Sequence, residues 1–379
     1  MKILVNAVAA RMGGAATYLR HFLRLAAREG EHRYVVLTSS GVQVGGAAVD
    51  RMEFGPEFKN PIRRFAFDQL EIPRLCAQLG CDALLSTNNF GSLVSPVRQV
   101  LLVRNPIFFS LLFLKRLARY GNSKKRAESF LRRNLILQSI MAADASVFPT
   151  HAMLDEVSGW ASLPRDRCHV IPHGFDAADF RRRAREHRAI FAARMRPRTF
   201  NVCFVSHYAP HKNLAFLCRG FSLARQRQPP SASPLHLWLT ADIARRQSEG
   251  AVWPEDLTAF RALAAEDGVT DLGTVPHEEV AGLYAASDAM IFPSLAESFG
   301  HPLKEAMSVD LPILAADIPI HREICGESAT YFDPLDSDAL ADALCEMAGN
   351  RSARSQPDPA RFAFSWEDHV RALTGLLSS

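Results

Sequence analysis

Residues 292–307 read Phe292-Pro-Ser-Leu-Ala-Glu297-Ser-Phe-Gly-His-Pro-Leu-Lys-Glu305-Ala-Met307. A short apolar strand, Ala289–Pro293, ends here, and a helix is expected to begin near Pro302, because proline suits the first helical turn. Gly300 lets the backbone approach a ligand closely, and the amides of that first turn point outward from the strand end. Glu297 and Glu305 flank the loop, so one carboxylate sits on the loop and the other on the helix. Taken alone, Glu297 reads as a capping residue and Glu305 as part of a solvated helix face. Around a Phe-Gly-x-Pro loop, the pair reads as two sides of a binding site.

Short apolar runs alternate with helical patterns on both sides of this stretch, which predicts βαβ units and parallel sheets. A first series of strands is expected at Lys2–Ala7, Tyr34–Thr38, Ala83–Thr87, Val100–Val103, Ala145–Pro149 and His169–Pro172. A second is expected at Val202–Ser206, Leu235–Thr240, Ala289–Pro293, Ile313–Ala316 and Thr330–Phe332. With 379 residues the chain has room for two domains. The expected division is 1–176, a polar arginine-rich linker at 177–199, and 200–364, with a last helix over 365–379 packing back on the first domain. Two α/β sandwiches joined in this way face each other across a cleft at the carboxyl ends of their strands.

Hydrophobic residues make up 48% of the chain and charged residues 22%, the profile of a soluble globular protein. No apolar stretch is long enough to span a bilayer. Asn6 and Arg11 interrupt the N-terminal apolar run, so it reads as a buried strand rather than a signal peptide. Seven scattered cysteines, without metal-ligand spacing, read as reduced core thiols of a cytoplasmic protein.

Positive charge is concentrated in two stretches. Residues 115–133 hold Lys115, Arg116, Arg119, Lys124, Lys125, Arg126, Arg132 and Arg133 against Glu128, and residues 181–198 hold eight arginines against Glu186. The first follows the apolar run Ile107–Leu114, and together residues 107–133 suit anionic lipid headgroups. A solvated helix face is the alternative. Aromatic residues do not interleave these charges as single-stranded nucleic-acid sites prefer, so no nucleic-acid partner is expected.

The Glu297-x7-Glu305 loop resembles the signature of retaining glycosyltransferases with the GT-B fold, the group 1 (family 4) class. Asp271-Leu-Gly-Thr-Val-Pro276, Leu283-Tyr-Ala-Ala-Ser-Asp-Ala-Met290, Pro312-Ile-Leu-Ala-Ala-Asp317, Glu323-Ile-Cys-Gly326, Tyr331-Phe-Asp-Pro334 and Phe364-Ser-Trp-Glu367 resemble further blocks of it. The resemblance covers residues 200–375 and is looser in the N-terminal half. It implies a donor site for a nucleoside-diphosphate sugar and an acceptor that is a glycan or lipid-linked glycan precursor. Glu305 is then expected on the ribose hydroxyls and Glu297 at the donor sugar. The amides around Phe299, Gly300 and His301 are expected on sugar hydroxyls and the diphosphate, and Val275 at the base.

Lys212 lies in Ser206-His-Tyr-Ala-Pro-His-Lys212-Asn213-Leu214, at a strand-to-helix junction where a cation neutralises a leaving diphosphate. The family carries an arginine five residues earlier; here the residue is His207, which gives up a permanent charge and a bidentate fork. Gly13-Gly14, before an expected helix Ala15–Ala26, matches the family's N-domain glycine loop or forms a simple tight turn. The family's N-domain histidine is missing from Leu101-Leu-Val-Arg104-Asn105-Pro106, where Asn105 or Arg104 takes its place. His151 and His173 read as structural polar residues. Asp336-Ser-Asp338 reads as helix capping rather than a metal motif.

The resulting expectation is a metal-independent hexosyltransferase with no cofactor. Its proposed catalytic residues are Glu297, Lys212 and Asn105, and its donor-binding residues are Gly13, Gly14, His207, Lys212, Val275, Glu297, Phe299, Gly300, His301 and Glu305. The rivals are a sugar-nucleotide epimerase on the same fold and an inactive scaffold subunit, the latter suggested by His207 and the missing histidine.

Overall fold

The computed structural model of the chain describes residues 1–10, 13–39, 49–55, 61–350 and 357–379. It contains two compact units. The first comprises Met1–Phe109, Leu117–Phe175 and Phe364–Ser379, and the second Ser110–Arg116 and Asp176–Ala363.

In the first unit seven parallel strands run β1 (Lys2–Asn6), β2 (Arg33–Ser39), β3 (Val49–Phe54), β4 (Ala83–Ser86), β5 (Arg98–Leu102), β6 (Ala145–Phe148) and β7 (Cys168–Val170), in the order β3-β2-β1-β4-β5-β6-β7. The second unit has β8 (Phe200–Phe204), β9 (Leu235–Leu239), β10 (Val269–Asp271), β11 (Ala289–Phe292), β12 (Ile313–Ala316) and β13 (Thr330–Phe332), in the order β10-β9-β8-β11-β12-β13. Strand order reverses between β1 and β4 in one sheet and between β8 and β11 in the other. Those are the points at which doubly wound sheets open a crevice for a ligand. The central strands are buried on both faces, which is why their sequences are continuous apolar runs without alternation. Strands β3 and β10, two of the four sheet edges, escape the sequence reading because charged residues break their apolar runs. The first, Val-Asp-Arg-Met-Glu-Phe, is only partly buried, and the second is three half-buried residues.

The expected linker 177–199 is corrected by the structure. Residues Ala177–Ala192 form a helix in the second unit, capped by Asp176, whose side chain accepts from the Asp179 amide. Its buried stripe is thin, Phe180, Ala184 and Phe191, and eight arginines in residues 181–198 hide it in the sequence. It packs on the helix Val280–Ala286, where a Cβ on Gly282 would lie 2.6 Å from the His187 backbone, so only glycine permits this approach. Arg181 and Arg188 donate to the carbonyls of Ser308 (2.7 Å) and Ala285 (3.0 Å), satisfying the C-terminal turns of two neighbouring helices. The boundary is also corrected at Ser110–Arg116, which belongs to the second unit.

The helix Trp366–Ser378 lies in the first unit. Ser365 and Asp368 form a capping box at its start, and Val370, Leu373 and Leu377 enter the core around Ile3, Val5, Phe22 and Val100.

Candidate functional site

The strongest constellation lies in the second unit, where β8 and β11 pair in parallel at the reversal of strand order. The chain leaving β8 is tied to the end of β9: the Ser206 amide donates to Thr240 Oγ1 at 3.0 Å and the Tyr208 amide to the Ala241 carbonyl at 3.2 Å. It turns through Pro210–Lys212, reaches Asn213 with φ 59°, and enters the helix Leu214–Arg227. The chain leaving β11 runs to Gly300, whose φ of 77° suits glycine, and enters the helix His301–Ser308. The Leu295 amide donates to the His211 carbonyl at 2.8 Å, clamping one loop to the other. Lys212 Nζ then donates to Glu297 Oε1, with the two side chains only 15% and 13% exposed.

Burial raises the pKa of Glu297, but Lys212, His211 and His321 together pull it below its ordinary value, so the carboxylate is ionised at neutral pH. His211 is pushed down to about 3 and His321 to about 4, in each case chiefly by burial, so both rings are neutral. His321 Nδ1–H donates to the Ala316 carbonyl at 2.8 Å. Its Nε2 has no partner among the described residues. Lys212 is therefore the cation beside Glu297. His207 has its pKa lowered by partial burial, then by Lys212 and Arg246, so it is uncharged at neutral pH. Arg246, on the helix Ile243–Ser248 that follows β9, is a cation the sequence reading missed; no motif marks it.

Glu305 is 8% exposed and accepts a hydrogen bond from Tyr284 Oη at 3.2 Å. Burial raises its pKa to about 7, against opposing effects of the Tyr284 bond and Arg183. Phe299 and Gly300 are buried, and the Phe299 and His301 rings meet edge to face, 5.0 Å between centroids. Val275 is half-buried in the loop after β10. That loop is held by Asp271, whose carboxylate accepts from the amides of Asp242, Ile243 and Gly273, and by Thr274 Oγ1 donating to Asp242 at 2.9 Å. Both glutamates, Lys212, His207, Val275 and the Phe299–His301 loop thus belong to one unit.

Beneath the Lys212 loop is a polar network the sequence did not reveal. Asp256 is fully buried and accepts from Tyr208 Oη (2.7 Å), the Ala215 amide (2.8 Å) and Arg116 Nη2 (2.5 Å). Arg116 also donates to the Pro210 carbonyl at 2.6 Å and to Asn213 Oδ1 at 3.2 Å. This arginine, counted above in the basic stretch, is a buried strut of the candidate site.

In the first unit, Gly13 and Gly14 open the helix Gly13–Glu29 instead of preceding it; the residues before them, Arg11 and Met12, lie outside the described residues. Asn105 uses its side-chain oxygen to cap the turn Pro106–Phe108, accepting from the Ile107 amide at 3.2 Å. His173 is buried in a ring cluster with Tyr18, Trp366 and His369, and His151 is the exposed first residue of the helix His151–Ser158. Asp336 caps the helix Ser337–Gly349, and Asp338 pairs with Arg227.

The family described as "Glycosyl transferases group 1" matches residues 199–350, and "Glycosyltransferase Family 4" matches residues 12–179. The chain belongs to the group 1, family 4 glycosyltransferases. It is 27% identical over 173 residues to O-antigen chain mannosyltransferase B of Escherichia coli, covering 44% of this chain and 42% of that protein. It is 26% identical over 251 residues to the D-inositol 3-phosphate glycosyltransferase of Actinosynnema mirum, covering 62% and 57%. The matched region thus spans less than two thirds of either relative. Among solved structures, the chain is similar to sucrose-phosphate synthase from Thermosynechococcus elongatus (TM-score 0.73, 17% identity, 99% of this chain and 98% of that one). It is also similar to Anabaena HepE in complex with UDP and glucose (TM-score 0.66, 18% identity, 100% and 99%). This family member has the GT-B fold.

Proposed function

We propose that the chain transfers a hexosyl unit from a nucleoside-diphosphate sugar to an acceptor hydroxyl, with retention of anomeric configuration and without a metal ion. The observation that carries this reading is the Lys212–Glu297 pair at the strand-order reversal of the second unit, with Glu297 on the loop that leads through Gly300 into the helix bearing Glu305. When donor binds, Lys212 turns to the diphosphate and stabilises the charge that develops as the sugar–oxygen bond breaks, helped by amides at the helix start. Glu297, released, faces the sugar. Glu305, ionised, accepts hydrogen bonds from the ribose diol. The departing diphosphate takes the acceptor proton, so no paired carboxylates of the glycosidase kind are required.

The O-antigen chain mannosyltransferase relatives support a hexose donor and a glycan or lipid-linked acceptor in surface polysaccharide synthesis. We place the protein in the cytoplasm, peripheral to an anionic membrane face. No helix among the described residues is long and apolar enough to cross a membrane. On the helix Ser123–Ala142, Phe130 and Leu131 are 62% and 59% exposed, and Lys124, Lys125 and Arg126 are exposed near its start. That combination supports docking to anionic lipid.

The deciding experiment is a thermal-shift panel of UDP-, GDP- and ADP-sugars, followed by a transfer assay in excess EDTA with the donor that stabilises the protein. Stabilisation by one nucleotide class and transfer in EDTA are expected. Failure of every donor to bind would overturn the reading. Turnover restored only by Mg²⁺ or Mn²⁺ would overturn metal independence.

A further inference from the structure

The first unit carries a cation that the donor site does not use. Arg104 follows β5, with its amide held by Asn89 Oδ1 at 2.6 Å. Its guanidinium lies over the Tyr18 ring, 4.4 Å from the centroid, and among the described residues it has neither a carboxylate partner nor a hydrogen-bond acceptor. Tyr18 is itself fixed. His369 Nδ1–H donates to the Pro172 carbonyl at 2.7 Å, which leaves Nε2 as an acceptor for Tyr18 Oη at 2.8 Å. Arg104, Tyr18, His173 and His369 line a small recess at the carboxyl ends of β5 and β6, the side of a parallel sheet where ligands bind. Burial lowers the pKa of Arg104, a sign that its charge is poorly solvated. An arginine remains charged nonetheless.

Arg104 is half-buried, and a cation so poorly solvated is normally paired. A planar fork with free donors, held by a ring that is itself hydrogen-bonded, is an oxyanion receptor without its anion. The neighbouring Asn105 does not fill this role, because its side-chain oxygen caps a local turn. We propose that Arg104 binds an oxyanion, phosphate or carboxylate, carried by the acceptor substrate. This rests on the transfer reading above, in which the charged groups assigned to the donor, Lys212, Glu297 and Glu305, lie on the second unit.

The test is calorimetric titration of the full chain with inorganic phosphate and, separately, acetate, which distinguishes the two sources of oxyanion. UDP, GDP and ADP form a third arm. One of the two oxyanions is expected to bind wild type, and Arg104→Gln to weaken it at least about tenfold, the scale of a charged hydrogen bond. Arg104→Lys, which keeps the charge and loses the fork, should fall between; it also serves if the glutamine variant does not fold. Nucleotide affinity should be unchanged in both, whereas Lys212→Met should lose nucleotide and keep the oxyanion. Binding of neither oxyanion by wild type, equal binding by Arg104→Gln, or loss of the oxyanion in Lys212→Met alone would overturn the proposal. Arg104-dependent oxyanion binding in a protein that binds no nucleotide would sink the transfer reading and, with it, the acceptor as the oxyanion's carrier, leaving only the oxyanion site.

Discussion

Lys212 and Glu297 come from loops after two different strands, yet they form a half-buried ion pair because the Leu295 amide is bonded to the His211 carbonyl between them. The pair keeps each side chain in place at the cost of occupying both. A ligand that needs Lys212 must first open it.

This gives an asymmetric prediction. Glu297→Gln removes the partner that holds Lys212 back, so nucleoside-diphosphate affinity should stay equal or rise while turnover falls. Lys212→Met should lose affinity and turnover together and also lower the melting temperature, since it strands a poorly exposed carboxylate. Calorimetric titration, single-turnover rates and thermal melts of the two variants check this. Weaker nucleotide binding by Glu297→Gln would show that the carboxylate itself contributes to the nucleotide site.

Glu305 supplies a pH dependence with a definite sign. Its folded pKa is raised to about 7, above the ~4.3 of an unfolded chain, so its contribution to stability is present at low pH and lost as pH rises through about 7. Ligand-free Glu305→Gln should therefore melt higher than wild type at pH 8. The ribose diol needs the ionised form to accept both bonds, so Glu305's contribution to nucleotide affinity should grow from about pH 6 to 8. In Glu305→Gln that increment should vanish and affinity should drop. Equal affinity of wild type and variant for UDP, GDP and ADP would remove Glu305 from the ribose site.

The buried network predicts a stability effect remote from the ligand. Asp256→Ala leaves Arg116 charged and buried and Tyr208 Oη without its acceptor, a loss of about 3–5 kcal/mol in urea unfolding. Because Arg116 also holds the Pro210 carbonyl, nucleotide affinity should fall as well. A loss below about 1 kcal/mol would show that water replaces the missing carboxylate.

By the family resemblance His207 stands where an arginine is expected, and partial burial, then Lys212 and Arg246, keep it neutral. His207→Arg adds a third cation to that cluster. The ligand-free variant should melt slightly lower, while a nucleoside diphosphate should bind at least as tightly at pH 8 and stabilise the variant more than wild type. Weaker binding would indicate that Arg246 already supplies the second charge and that a further guanidinium only crowds it.

How much of this was legible can be read residue by residue. The loop from Phe292 to Met307 was readable because its constraints are local: apolar strand, Gly300 with positive φ, proline in the first helical turn. The capping box at Ser365 and the cap at Asp336 were readable for the same reason. Edge strands β3 and β10 were not, because Asp50, Arg51 and Glu53 in one and Asp271 in the other break the apolar run, whereas the edges β7 and β13 carry no charged carboxylate or guanidinium and were read. The helix Ala177–Ala192 was mistaken for a linker because its arginines serve carbonyls of other helices, a role sequence periodicity does not encode.

The sequence by itself determined the alternating α/β pattern and the family resemblance, both of which depend on neighbours a few positions apart, and from that resemblance it named candidate donor-side residues. Only the tertiary structure decided which charges are spent and which are open. Arg116 and Lys124 look alike in a basic stretch, but one is buried against Asp256 and the other is exposed. Arg104 and Asn105 are adjacent, but one side chain caps a turn and the other lies over a ring without an acceptor. Whether a charge is paired depends on groups brought together from tens or hundreds of residues away, and on how far water is excluded from them, which only the folded chain sets.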